Sequence, residues 1–198
     1  MINSIAGVDY GSKLAGTTAI AAIAASGSID IRQSAKGQDA DRFLLEQITS
    51  IQAQQIFIDA PLSLPMVYRS PEAYDDYFYR TADRTLQAMS PLFLGGLTAR
   101  AMQLARRLSE LDIMVYEVYP AHLARLLKLQ EMGYKKDINQ LPDVVQELLQ
   151  HLPYSLAPQV TIANWHQADA LLALLSGIRY MQQQHETFGN TTEGIIIV

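Results

Sequence analysis

The chain has 198 residues, 49% of them apolar and 18% charged, with a net charge of −5 and no cysteine. These values describe a folded chain that is long enough to bury a sizeable core, on the order of 70% of its unfolded surface. They exclude disulfides and thiolate metal sites, and they restrict any nucleic-acid contact to a local basic patch, because non-specific binding needs positive surface. The N-terminus "MINSIAGVDYG" lacks the basic start and apolar core of a signal peptide, and no run approaches the ~18 apolar residues of a membrane span. The expectation is a cytoplasmic protein with no membrane partner.

In chain order, "NSIAGVDYG" predicts a buried strand that ends at Asp9. "GTTAIAAIAA" and "GSIDIRQ" predict two more strands, the second alternating Ile29 and Ile31 against Asp30 and Arg32. The "ASGS" between them is hairpin material, so the three form an antiparallel meander. "DADRFLLEQITSI" carries Phe43, Leu44, Ile48 and Ile51 at helical spacing. "QQIFIDAP" is a strand stopped by Pro61, and "DIMVYEVYP" is one stopped by Pro120. "LTARAMQLARRLSEL", "AHLARLLKL" and "LPDVVQELLQHL" are helices, the last admitting Pro142 at an early position. "ANWHQADALLALLSGIRYMQQQ" is the longest helix, capped by Asn164. "EGIIIV" is a short closing strand. Segment 62–96 is an irregular arm with a short helix through Tyr77–Leu86. The order implies an α/β fold with a mixed sheet flanked by helices, in one domain over 1–198.

Asp9, Asp59 and Glu117 all sit at or near strand ends, and Asp169 lies in the first turns of the long helix. Ala173, Ser176 and Gly177 share the face of Asp169, and small side chains let a helix approach a sheet closely. Clustered buried carboxylates repel and protonate unless a cation neutralises them. An all-oxygen set without cysteine selects hard ions, Mg²⁺ or Mn²⁺, and such ions serve phosphoryl displacement. Taken singly, a strand-end Asp is more often a turn former or helix cap.

"GVDYGSKLAG" resembles the first-strand motif of ribonuclease H-like nucleases and Holliday-junction resolvases, aspartate–x–glycine–x–(Lys/Arg)–x–x–glycine. "HQADALLALLSG" resembles their last-helix motif. Between them "FIDAPLSLP", "RTADRTL", "LTARA" and "VYEVYPAHL" resemble an uncharacterised bacterial and archaeal family of predicted nucleases in that superfamily. The resemblance implies a ribonuclease H-like fold with a five-stranded mixed sheet. It implies an acidic site of Asp9, Asp59, Glu117 and Asp169, both catalytic and metal-ligating. It also places Arg80, Asp83 and Arg84 in a substrate pocket, with a structural Arg–Asp pair as the alternative.

Lys13 and Arg100 are candidates to hold phosphate, with solvated surface as the alternative. His166, three residues before Asp169, is set to touch a metal or a phosphate, or to bond a loop. Arg80 and Arg84, four apart, would share a helical face and grip phosphate from an arm covering the metal site. Tyr74, Tyr77, Phe78 and Tyr79 suit base stacking, but Asp75 and Asp76 beside them would repel phosphate, which favours core or lid packing. Lys135 and Lys136 read as solvated loop charges.

The function expected is metal-dependent phosphodiester hydrolysis, on nucleic acid or a small phosphodiester, with a homodimer as the assembly to test. The alternatives are a non-catalytic binding or regulatory module on the same scaffold, and an actin-like or sugar-kinase-type phosphate binder, which needs a second phosphate motif that the chain lacks.

Overall fold

The computed structural model describes residues 4–198. Seven strands form one sheet: β1 (Ile5–Asp9), β2 (Ala19–Ile23), β3 (Ile29–Gln33), β4 (Gln55–Asp59), β5 (Met114–Val118), β6 (Thr187–Asn190) and β7 (Gly194–Ile197), in the order β3-β2-β1-β4-β5-β7-β6. Seven helices accompany them: α1 (Ala40–Ser50), α2 (Thr81–Leu86), α3 (Pro91–Leu94), α4 (Gly96–Ser109), α5 (Pro120–Leu126), α6 (Leu141–Gln150) and α7 (Trp165–Met181). No helix among the described residues is long and apolar enough to cross a membrane.

The predicted meander is present. β1 pairs antiparallel with β2, and β2 antiparallel with β3. The β2–β3 turn is closed by the Ala24 N–H donating to the Ser28 carbonyl at 2.8 Å, with Gly27 at φ +79°. After α1 the chain turns parallel: β1 with β4, β4 with β5, and β5 with β7. The sheet is therefore mixed, as expected, but it has seven strands where five were predicted. The excess lies at the C-terminal end, where β6 forms an antiparallel hairpin with β7. β6 has one apolar side chain, Phe188, and lies largely exposed at the sheet edge, so it carries no hydrophobic alternation to announce it.

Side chains alternate across β1. Ala6 and Val8 join Ile20, Phe43, Leu44, Ile58 and Leu104 in an apolar layer under α1 and α4. Gly7 faces α7 instead. A Cβ on Gly7 would lie 2.0 Å from the Leu174 backbone N and 2.5 Å from the Ala170 carbonyl O, so α7 rests directly on the strand backbone. Gly177 makes a second close approach, with the Phe57 ring 2.5 Å from where its Cβ would stand. The small face of α7 read in the sequence thus serves to seat the helix, which is buried continuously from Ala168 to Ile178. Asn164 caps it by accepting from the Gln167 N–H at 3.2 Å. This docking fixes Asp169, near the helix N-terminus, beside the strand ends.

The arm is less helical than predicted. Residues 77–80 lie outside any helix, with a bend at 77–78, and α2 begins only at Thr81. Arg80 is the residue before the helix, at φ −81° and ψ 162°, not a member of it.

Candidate metal centre

β1 and β4 end together, with Asp9 and Asp59 as in-register partners in a parallel pair. Residues aligned this way project to the same face of a sheet. Phe57 and Gly7, two residues earlier, both meet α7, so both carboxylates emerge on the α7 side. Asp169 arrives from that helix. One ligand oxygen from each of Asp9, Asp59 and Asp169 lies within 4.8 Å of the other two. Asp9 and Asp169 are buried, whereas Asp59 keeps a partial opening to solvent. Asp9 and Asp59 line a cleft of about 340 Å³ whose walls also include Arg80, Met89, Leu94, Glu117, Tyr119 and Lys135. Met89 and Leu94 belong to the arm, which therefore forms one wall of the cleft.

The electrostatics follow from crowding. Burial, then the charges of Asp9 and Asp169, push the Asp59 carboxyl well above its ordinary value. Asp169 is pushed up to about 6, by burial first and against the pull of Lys135. His166 Nδ1–H donates to Asp9 Oδ2, 2.7 Å away, and that hydrogen bond raises the imidazole's affinity for its proton. His166 thus bonds a carboxylate of the triad, a partner that neither of its expected roles named.

Glu117 does not join the three. It aligns with Ile58, one position out of step with Asp59, and although it lines the same cleft its carboxylate is turned to the arm. There both its oxygens accept from Arg80, at 2.7 Å from Nη1 and 2.6 Å from Nη2, and the Leu62 N–H adds a third bond at 2.8 Å. Arg80 also bonds Asp83, and all three side chains are 6% exposed or less. Arg80 accordingly takes the structural-pair alternative: its guanidinium is saturated by Glu117, Asp83 and Ser63.

Arg84 does not share its direction. It is exposed, pairs with Asp76 at 2.7 Å and lies over the Tyr79 ring at 3.8 Å. The shared face expected of the two arginines fails because Arg80 precedes the helix. Lys13 is exposed and pairs with Asp39 at 3.2 Å. Arg100 grips Asp41 through two nitrogens and donates to the Gly11 carbonyl at 3.2 Å, while Tyr10 donates to the same Asp41. That network anchors the turn immediately after Asp9. Tyr74, Tyr77 and Phe78 stand exposed on the arm, so of core or lid packing the core half does not hold for them.

No family model matches the chain, and no curated protein matches it.

Two residues at the centre were not expected there: Tyr134, and Lys135, which reads from the sequence as a solvated loop charge. Tyr134 is buried edge-on against Trp165 and donates its hydroxyl to Asp169 Oδ1. Lys135 places Nζ 2.5 Å from Asp169 Oδ2. The intervening backbone is the reason both reach one carboxylate: Gly133 at φ +93° and Lys135 at φ +58° turn the chain sharply back. Nothing in the local pattern "MGYKKD" signals a partner 34 residues away.

Proposed function

We infer that the protein is a divalent-metal-dependent phosphodiesterase, with nucleic acid as its substrate class and Asp9, Asp59 and Asp169 as the ligands of Mg²⁺ or Mn²⁺. The observation that carries the reading is the convergence of three carboxylate oxygens within 4.8 Å of one another at the mouth of a cleft. The donor set is all oxygen and strongly anionic, which fits a hard divalent ion and suits neither copper nor a thiolate-seeking metal. Glu117 is left out of the ligand set, because Arg80 already neutralises it.

The first five strands, β3-β2-β1-β4-β5, with three antiparallel, support a ribonuclease H-like reading and the kinship with resolvase-type nucleases. In that reading the β6–β7 hairpin is an extension of the core sheet.

When bound, a divalent ion supplies Lewis acidity to the phosphoryl group. The chain's own contributions are separable. Asp9, Asp59 and Asp169 hold the ion. His166 orients Asp9 and keeps a proton at Nδ1 beside it. The Tyr10–Asp41–Arg100 network holds the turn behind Asp9. The arm, through Met89 and Leu94, narrows the cleft and so favours a strand end or a single strand over a long duplex. The net charge of −5 agrees with a small contact area on nucleic acid.

A second reading, a binding module that never turns over, is favoured by one observation: Lys135 already sits on Asp169 as a counter-charge. One experiment separates the two. Purified protein is incubated with Mn²⁺ or Mg²⁺ and single-stranded, duplex and junction DNA and RNA, and with bis(p-nitrophenyl) phosphate. Metal-dependent cleavage that disappears in Asp9→Asn supports the enzyme. No cleavage of any member of the panel favours the binding module.

A further inference from the structure

We propose that Lys135 is the resident cation of the triad and a substrate-positioning residue: a divalent ion displaces its ammonium from Asp169, and the freed lysine then meets phosphate in the cleft. The proposal rests on the metal-centre reading above, and it concerns a residue that the sequence placed in solvent.

Three features carry it. The first is position. Lys135 Nζ lies 2.5 Å from Asp169 Oδ2, and the same side chain lines the cleft that holds Asp9 and Asp59. The second is saturation. Tyr134 occupies Asp169 Oδ1, so both oxygens of this carboxylate are engaged by two consecutive residues of one turn. An ion that takes Oδ2 of Asp169 must share it with the ammonium, and one that takes Oδ1 still stands close to that ammonium across a single carboxylate; either way the two cations repel.

The third feature is freedom to leave. Asp169 is 2% exposed at its side chain, whereas Lys135 is 45% exposed. Its ammonium has no other ion pair among the described residues. Tyr134, by contrast, is packed against Trp165 and fixed. The flexible four-carbon stem of lysine can swing to the open side of the cleft without moving the backbone. Once there it is a compact positive charge beside the triad, with the chemistry that a phosphate oxygen requires. A purely structural ion pair would instead persist when metal is added.

The test uses the full chain and three readouts. First, Mn²⁺ affinity is measured at pH 8 for the wild type, Lys135→Met and Lys135→Arg. Removing the competing charge should tighten binding by roughly tenfold or more, while Lys135→Arg stays near the wild type. Second, wild-type protein is pulse-labelled with an amine-acylating reagent, with Lys136 as the internal reference. Labelling of Lys135 relative to Lys136 should rise several-fold when Mg²⁺ is added. Third, binding of inorganic phosphate to the metal-loaded protein should weaken in Lys135→Met.

Unchanged Mn²⁺ affinity in Lys135→Met, or labelling of Lys135 that ignores metal, overturns the displacement. Tighter metal binding with unchanged phosphate binding overturns the positioning role. If neither the wild type nor Lys135→Met binds Mn²⁺, the metal-centre reading itself fails and this proposal falls with it. That result differs from the failure of displacement alone, in which the wild type binds metal normally.

Discussion

Asp9 and Asp59 are in-register partners at the ends of two adjacent parallel strands, projecting to the same face of the sheet. Strand pairing places two carboxylates side by side, and the packing of α7 onto Gly7 adds the third. The arrangement is costly without a cation, and the first prediction measures that cost.

Asp59 and Asp169 both hold their protons more tightly in the fold than in an unfolded chain, where a carboxyl titrates near 4. Groups shifted upward contribute stability that is fully present below the unfolded value and is lost as pH rises through the folded one. For Asp169 that window runs from near 4 to about 6, and His166, also raised, adds a loss of the same sign above its ordinary range. The metal-free melting temperature should therefore carry a falling component between pH 4 and 8. Asp59→Asn removes one source of it. The variant should melt above the wild type at pH 8, and the gap should close towards pH 4. A variant less stable than the wild type at pH 8 would show that Asp59 serves as a structural acceptor.

Gly7→Ala tests the seating of α7. The added Cβ meets backbone, at 2.0 Å and 2.5 Å, and backbone cannot move aside as a side-chain tip can. The expected loss is about 3 kcal/mol or more in urea unfolding. A loss below about 1 kcal/mol would mean that the helix can shift outward, and metal affinity should then fall as Asp169 withdraws.

The two arginines of the arm should separate sharply. Arg80→Ala strands Glu117 and Asp83 in a buried site without their partner, which costs about 3–5 kcal/mol. Arg84→Ala removes an exposed pair with Asp76 and should cost less than about 1 kcal/mol. Neither should change Mn²⁺ affinity in the protein that remains folded. Equal effects of the two on stability, read by urea unfolding, would contradict the buried cluster.

The sequence displayed much of this and concealed the rest for physical reasons. Asp9, Asp59 and Asp169 were visible because each terminates or interrupts an apolar run whose burial the pattern makes plain. Glu117 looked equivalent, but it stands one residue out of step with Asp59 in the β4–β5 register, and its carboxylate is taken by Arg80. No single strand contains that information. Arg80 and Arg84 looked like a pair because four-residue spacing was read as helix, whereas the helix begins one residue after Arg80. β6 escaped because an exposed edge strand needs no hydrophobic face. Tyr134 and Lys135 reach Asp169 through two left-handed backbone positions, one of them a lysine, where no local preference predicts such a turn.

The most direct test of the metal centre is Mn²⁺ binding to the purified chain at pH 8, compared among the wild type, Asp9→Asn, Asp59→Asn and Asp169→Asn. The account predicts saturable binding to the wild type and at least about a tenfold loss in each variant, since each removes one charged ligand while keeping its size. A wild-type protein that binds no Mn²⁺, or three variants that bind it as the wild type does, would contradict the assignment of these aspartates as the metal site.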